Sequence, residues 1–233
     1  MASAPRIKLC GITSLDDARL AVDAGAWAIG CILWRQSPRA CDPAEAARIA
    51  AAVRRRAHVC GVFVNAHLDE VAELVDAIGL TMVQLHGDEG PAFCAEVARR
   101  TGAKVVKAAA VRSQADVRAL ETFHTDFHML DAHRPGMRGG TGETFDWDLV
   151  RARRSSIPLI LSGGLTPENV GEAIAATHPF AVDSASGTEA SPGVKDPAKV
   201  AAFVDAVHAA VVDLERPDAD RPSQAAGLEA PRR

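Results

Sequence analysis

A cysteine and an aspartate end two of the short apolar runs in this chain, Cys10 in KLCGIT and Asp131 in HMLDA. Side chains two residues apart share one face of a strand, so Cys10 would face the same way as Lys8, and Asp131 the same way as Met129. If both faces point inward, the thiol and the carboxyl converge on the mouth of one sheet. Because a thiolate can abstract a proton, the pair is a candidate for acid–base chemistry.

A lone cysteine is usually a small buried hydrophobe, and we interpret Cys31, Cys60 and Cys94 in that way. Cys10 differs from them because it ends a strand, faces the same way as a lysine and precedes a glycine. A nearby cation, Lys8 or Lys107, would favour its thiolate. The alternative is that either lysine forms an ion pair with Asp131 or with Asp183, and the sequence leaves both possibilities open.

Glycine-rich segments follow the last predicted strands, Gly163-Gly164 after the seventh and Ser186-Gly187 after the eighth. Exposed backbone N–H groups in these loops of a barrel commonly bind phosphate, so we predict a phosphate site there. The segment 139–142, which includes Gly140, Thr141 and Gly142, follows the sixth strand. It is expected to close over a substrate, or else to be a long connection.

Three further polar residues are candidate substrate contacts: His86, Asp183 and Arg39. His86 shares a strand face with Gln84, and we favour packing or substrate contact over proton transfer for it. Arg39 follows Pro38 in a turn and can grip a carboxylate with two hydrogen bonds. Its alternative is a solvated loop cation.

These residues need a scaffold that brings strand ends together, and β-branched apolar runs alternate with Ala-rich helical segments along the chain. The predicted strands are 7–12, 26–33, 59–64, 82–86, 104–110, 127–131, 159–162 and 181–184. The predicted helices are 15–24, 43–55, 68–78, 91–100, 114–122, 147–153, 167–176 and 197–214. This repeat predicts an α/β fold, a single (β/α)8 TIM barrel over 1–214, with an open doubly wound sheet as the alternative. Residues 215–233 lack apolar periodicity and are predicted to be a disordered tail.

Composition excludes several classes of protein. A net charge of −4 argues against a nucleic-acid partner, and the dense basic run 54–56 is interpreted as a solvated helix end. No apolar stretch has transmembrane length and the first residues do not resemble a signal peptide, so we expect no membrane partner. Five cysteines without a CxxC pair favour a reduced, cytoplasmic setting. No metal-ligand spacing is present, and no apolar surface stripe indicates an interface, which favours a monomer.

Taken in order along the chain, the segments that contain the candidate site residues resemble those of the phosphoribosylanthranilate isomerase family of tryptophan biosynthesis. The matching segments are KLCGIT at 8–13, SPR at 37–39, GVFVN at 61–65, QLHGDE at 84–89, GGTGETFDW at 139–147, LSGGLTPENV at 161–170 and the stretch 182–196. Each is modest in specificity, but together they cover nearly all of the chain except the tail.

The resemblance implies a cofactor-free Amadori rearrangement of a small molecule, N-(5-phosphoribosyl)anthranilate. The family's base corresponds to Cys10, its acid to Asp131 and its carboxylate-binding arginine to Arg39. The last two glycine loops would hold the phosphate. The acid opens the furanose ring to an imine, and the base then removes the C2′ proton.

Two classes of function compete with this interpretation: another phosphosugar barrel enzyme, or a dual-substrate version of one, and a scaffold without catalytic activity. Another phosphosugar barrel isomerase, such as that of histidine biosynthesis, is expected to use paired aspartates, whereas the first strand here ends in Cys10. A dual-substrate enzyme would need a second phosphate site, and no second pair of glycine loops is evident. A catalytically silent phosphate-binding scaffold would have lost the acid or the base, and both are present.

Overall fold

A computed structural model of the chain describes residues 4–132 and 146–215, with side chains up to residue 210. Eight parallel strands form a closed barrel, in which the first strand pairs with both the second and the eighth. The predicted barrel is therefore confirmed, and the open doubly wound alternative is wrong.

Strands and helices alternate around the barrel. The strands are β1 (Arg6–Cys10), β2 (Ala28–Ile32), β3 (His58–Phe63), β4 (Met82–Leu85), β5 (Lys104–Val111), β6 (Phe127–Ala132), β7 (Leu159–Leu161) and β8 (Ala181–Ser184). A short antiparallel hairpin follows, formed by β9 (Glu189–Ser191) and β10 (Val194–Lys195). The α-helices are α1 (Leu15–Asp23), α2 (Pro43–Val53), α3 (Leu68–Ile78), α4 (Pro91–Thr101), α5 (Gln114–Ala119), α6 (Val170–Thr177) and α7 (Pro197–Glu215).

The two-residue period of the strands divides the core into two layers. Inside the barrel lies a cluster of buried side chains: Cys60, Met82, Val106, Ala108, Phe127, Met129, Ile160 and Ala181. The alternate strand residues pack outward against the helices in a larger cluster. The interior of the barrel is therefore a packed core rather than a channel.

The amino end of the barrel is closed by aromatic rings. The Trp27 ring meets those of His58, Phe127 and Phe180 edge-on, with centroids 5.3–5.5 Å apart. The Arg6 guanidinium lies 5.4 Å from the centre of the Trp27 ring. These contacts are of the kind that stabilise a fold, and they leave the opposite end available for chemistry.

Two predicted helices differ from those observed, for local reasons. The helix predicted to begin at Pro167 begins at Val170, because the Asn169 side chain accepts from Thr166 N at 2.8 Å and holds the preceding residues in a turn. The segment predicted as a helix at 147–153 is a 3-10 helix, Trp147–Ala152, in which the first turn closes with a hydrogen bond from Leu149 N to Asp146 O.

Other element ends differ by a few residues. β1 ends at Cys10 rather than at residue 12, because Gly11 adopts a left-handed φ of 78°. α2 ends at Val53, so the basic run 54–56 lies in the connection after the helix, where all three arginines are exposed. The β9–β10 hairpin was not predicted. Apart from Glu215, which ends α7, the predicted tail lies outside the described residues.

Candidate active site

A cavity of about 950 Å³ opens at the carboxyl ends of the strands. Eight of the candidate catalytic and binding residues line it: Cys10, Arg39, His86, Asp131, Gly163, Gly164, Asp183 and Ser186. Gly187 does not contribute to the described lining, and Gly140, Thr141 and Gly142 lie outside the described residues. The convergence of strand ends expected from the two-residue period is thus observed around one space.

Cys10 ends β1 and is 6% exposed to solvent. Its thiol fits because the paired residue on β2 is Gly30, where an added Cβ would lie only 2.6 Å from the sulfur. Burial raises the pKa of the Cys10 thiol, and this effect outweighs the opposing charge and hydrogen bond of Lys8. The lysine acts in the direction that the sequence suggested, but desolvation is larger.

Lys8 and Asp183 form a buried ion pair across the β1–β8 seam, with Nζ 2.8 Å from Oδ1. Ser162 donates to the other oxygen of Asp183 at 3.1 Å. Burial lowers the pKa of Lys8, but the Asp183 carboxylate, together with the nearby Cys10 and Cys60 thiols, more than offsets this, and the pKa is raised. One of the two pairings that the sequence left open is therefore the one observed for Lys8.

Asp131, the next-to-last residue of β6, contacts His86, which directly follows β4, with Oδ2 3.1 Å from Nε2. The other ring nitrogen, Nδ1, lies 2.9 Å from the amide nitrogen of Gln84. In that orientation the ring accepts at Nδ1, so Nε2 carries the proton and donates to Asp131. Gln84 Oε1 is buried and accepts no hydrogen bond from the described residues, so it is available to a donor on a ligand.

Lys107 pairs with neither aspartate that the sequence suggested for it. Its Nζ lies 2.8 Å from Glu89 Oε2 and also donates to Gly87 O at 2.8 Å. Glu89 further accepts from the backbone nitrogens of Asn65 and Gly87. This buried network holds the loop that follows His86. Sequence reasoning missed Glu89, although its place in QLHGDE at a strand end was a usable signal.

The loops after β7 and β8 meet at one side of the cavity. Gly163 and Gly164 have left-handed φ angles of 94° and 63°, which glycine adopts without strain. Gly187 lies against the first of these loops, and an added Cβ would come within 2.1 Å of Leu165 O. The two predicted phosphate-binding segments are therefore packed together, and Ser186 reaches the cavity.

Arg39 lies in the loop after β2 and is 9% exposed. Its Nε is 2.9 Å from both carboxylate oxygens of Glu189, and its Nη2 is 2.8 Å from Oε2. The alternative of a solvated loop cation is therefore wrong. Sequence reasoning missed Glu189, because no local pattern links residues 150 positions apart.

The remaining cysteines, and the residue types that commonly bind metals, give no further functional site among the described residues. Cys31, Cys60 and Cys94 are buried, as interpreted from the sequence, and so is Cys41. Among the described residues, no group of three or more His, Cys, Asp or Glu side chains is arranged to hold a metal ion. No helix within the described ranges is long and apolar enough to cross a membrane.

Comparison with known proteins agrees with this geometry. Residues 7–206 match the family model described as N-(5′-phosphoribosyl)anthranilate (PRA) isomerase. The chain is 47% identical over 195 residues to the N-(5′-phosphoribosyl)anthranilate isomerase of Citrifermentans bemidjiense, covering 84% of this chain and 93% of the relative. It is 45% identical over 207 residues to that of Pseudomonas fluorescens, covering 88% and 99%.

Solved structures give the same answer at the level of the fold. The phosphoribosyl anthranilate isomerase of Thermotoga maritima superposes with a TM-score of 0.80 at 38% identity, covering 88% of this chain and 99% of its own. A second structure of such an enzyme, in complex with reduced 1-(o-carboxyphenylamino)-1-deoxyribulose 5-phosphate, has a TM-score of 0.76 at 36% identity, with the same coverage of both chains.

Proposed function

Since the chain belongs to the N-(5′-phosphoribosyl)anthranilate isomerase family, we propose that Cys10 is the base and Asp131 the acid of its Amadori rearrangement. The enzyme converts N-(5′-phosphoribosyl)anthranilate into 1-(2-carboxyphenylamino)-1-deoxyribulose 5-phosphate in tryptophan biosynthesis. The observation that carries the assignment of roles is that the thiol of β1 and the carboxyl of β6 face the same cavity.

Protonation of the furanose ring oxygen is the first step. Asp131 gives its proton to that oxygen as the C1′–O bond breaks, and the anthranilate nitrogen donates its electron pair to form a protonated imine. His86, 3.1 Å from Asp131, holds the carboxyl in place, and it would also contact the substrate. The ring must open first because only the imine makes the C2′ proton acidic.

Proton abstraction from C2′ is the second step. The Cys10 thiolate takes this proton, and the electron pair of the C–H bond moves into the C1′–C2′ bond, which gives an enolamine. Tautomerisation of the enolamine produces the ketone. Electrons move only within the substrate, so the balance needs no external oxidant or reductant.

Two anionic ends of the substrate need separate partners. We propose that Arg39 binds the anthranilate carboxylate and that Gly163, Gly164, Ser186 and Gly187 hold the phosphate through backbone N–H groups. Asp183, a cavity residue held by Lys8, would contact the ribose side of the substrate. Gly140, Thr141 and Gly142 remain a proposed loop that closes over the bound substrate.

Replacing the acid and the base separately tests these roles. We expect Cys10→Ala and Asp131→Asn each to lower kcat by about 10²–10⁴-fold, the usual contribution of one acid–base group. Turnover is followed by the loss of substrate fluorescence with purified protein. Binding of inorganic phosphate, measured by calorimetry, should be unchanged in both variants.

Matched controls separate loss of chemistry from loss of structure. Cys94→Ala removes a buried thiol on α4, outside the described cavity lining, and Asp126→Asn alters an aspartate near the start of β6. Both control variants should retain kcat. Full activity of Cys10→Ala or of Asp131→Asn would overturn the proposed mechanism.

A further inference from the structure

Behind Arg39 lies a buried carboxylate that fixes the direction of its guanidinium. Glu189, the first residue of β9, receives the Nε–H and one Nη2–H of Arg39 and is itself 5% exposed. Of these two side chains only Arg39 lines the described part of the cavity. A planar guanidinium held on one side by two parallel hydrogen bonds presents its remaining N–H groups in one direction.

A second cation, Lys195, adds a positive charge beside Arg39 and Glu189, so that the three side chains together would attract an anion. Lys195 Nζ lies 3.5 Å from Glu189 Oε1, 2.9 Å from Ala185 O and 3.1 Å from Thr188 Oγ1. Three acceptors around the nitrogen match the three donors of a protonated ammonium. With Lys195 protonated, Arg39, Glu189 and Lys195 together carry one net positive charge, which Arg39 with Glu189 alone would lack.

The side chains of Arg39, Glu189 and Lys195 connect two sides of the cavity. Ala185 and Thr188 flank the proposed phosphate-binding residues Ser186 and Gly187, and Lys195 holds both of the flanking residues. Arg39 belongs to the loop after β2, on the opposite side of β1 from β8. Glu189 and Lys195 therefore join the loop proposed for phosphate to the side chain proposed for carboxylate.

Gly11 makes room for this arrangement directly after the proposed base. A Cβ added at Gly11 would lie 3.0 Å from Arg39 Cδ and 3.0 Å from Glu189 Oε1, and its φ is 78°. The absence of a side chain here lets the arginine–glutamate pair pass immediately beside the Cys10 backbone.

We propose that Glu189 is a positioning residue that aims Arg39 at the substrate carboxylate, with Lys195 supplying the compensating positive charge. This inference rests on the proposed role of Arg39 in binding. It assigns Glu189 a function through Arg39 and no direct contact with the reacting atoms. Replacing Glu189 should therefore not change the binding of substrate analogues that lack the carboxylate.

The test is a double-mutant cycle on KM. Glu189→Gln keeps the shape of the side chain but places an amide N–H₂ against an arginine N–H, so the guanidinium loses its fixed direction. We expect KM for N-(5′-phosphoribosyl)anthranilate to rise about tenfold or more, since small misplacements of a binding group are costly. kcat should change by less than about threefold, because binding rather than chemistry is lost.

Coupling with Arg39 distinguishes positioning from general loosening of the structure. In an Arg39→Ala background, Glu189→Gln should leave KM unchanged, because the group it acts on is gone. Competitive inhibition by inorganic phosphate should be the same in wild type and in Glu189→Gln. An equal rise in KM in both backgrounds, or no rise in either, would overturn the positioning role.

A matched control and a second variant complete the design. Glu96→Gln breaks a similar two-bond grip on Arg99, at the exposed surface of α4, and should leave KM unchanged. If Glu189→Gln does not fold, as judged by circular dichroism, the cycle is run with Glu189→Asp, which keeps the charge and shortens the reach. If Arg39→Ala alone leaves KM unchanged, the proposed role of Arg39 is wrong; if it raises KM and the Glu189 variants do not, only the present inference is wrong.

Discussion

The Cys10 thiol experiences two opposing influences from its surroundings. Burial disfavours the thiolate, whereas the charge of Lys8, and to a lesser degree that of Lys195, favours it. Burial is the larger effect, so the pKa lies above its ordinary value. Consequently only a small fraction of the Cys10 side chain is ionised at neutral pH. That thiolate is a stronger base than the thiolate of a cysteine with a lower pKa would be.

This balance predicts a pH dependence of kcat/KM. In Asp131→Asn, whose acid no longer titrates, the residual kcat/KM should rise with pH below the thiol pKa by up to about tenfold per pH unit, because the thiolate is the proton-abstracting form. The rising limb should extend beyond pH of about 8.5, the ordinary value for a free cysteine. Fluorescence assays between pH 6.5 and 9.5 in buffers of constant ionic strength measure it.

Chemical labelling provides an independent check on the same group. The rate of iodoacetamide modification at Cys10, read by mass spectrometry of the peptide, should follow the same pH curve as kcat/KM of Asp131→Asn. A plateau of both rates below pH of about 8 would contradict the raised pKa.

At the scale of the element, strand alternation gives neighbouring residues opposite surroundings. On β6, Met129 and Asp131 face the barrel interior and its mouth, whereas His128 faces outward and is fully buried. His128 Nε2 lies 2.9 Å from Phe123 O, while Nδ1 is buried with no hydrogen-bond partner among the described residues. Burial lowers the pKa of His128, because a charged ring there would be poorly solvated.

A pH dependence of stability follows from this lowered pKa. A histidine whose pKa is lower in the folded state binds more protons when unfolded, so its contribution is complete above the unfolded pKa of about 6.5 and is lost as the pH falls below it. We expect the free energy of unfolding to decrease between pH 7.5 and 5.5. Urea titrations at each pH measure this decrease.

His128→Gln isolates this contribution from that of other groups. The glutamine amide can still donate to Phe123 O but does not titrate, so the variant should lose less stability on acidification than wild type does. Equal losses in the two proteins would show that His128 is not responsible.

At the scale of the whole molecule, the two ends of the barrel serve different purposes. The aromatic cluster around Trp27 closes the amino end, and the cavity with Cys10 and Asp131 opens at the carboxyl end. In barrels of this kind, residues at the first end contribute to stability and residues at the second to activity. Mutations at the two ends should therefore have separable effects.

Trp27→Ala tests this separation. Removing the ring should lower the free energy of unfolding by about 3 kcal/mol, at the low end for a large aromatic because Trp27 is only partly buried. Tm should fall by roughly 6–12 °C for a chain of this size. kcat/KM at 25 °C should stay within about twofold of wild type, and a large loss of activity in the folded variant would contradict the separation.

Short-range pattern was enough to predict the barrel and which strand residues face its mouth. The two-residue period placed Cys10, His86 and Asp131 on the correct faces, because alternation of side chains is a property of each strand by itself. The glycines at 163, 164 and 187 were also recognisable from the sequence as loop positions. In the fold, their backbone angles or their close packing leave no room for a side chain. Helix starts were less predictable: Asn169 delays α6 by a side-chain bond that competes with the helix.

The pairing of charges was decided only by the tertiary structure. The sequence left Lys8 and Lys107 free to pair with Asp131 or Asp183; in the fold Lys8 takes Asp183, and Lys107 takes Glu89 instead. Ion pairs depend on separations of a few ångströms between groups far apart along the chain, and strand periodicity does not encode such distances. Closure of β8 onto β1 brings Asp183 to Lys8, and the β9–β10 hairpin brings Glu189 to Arg39.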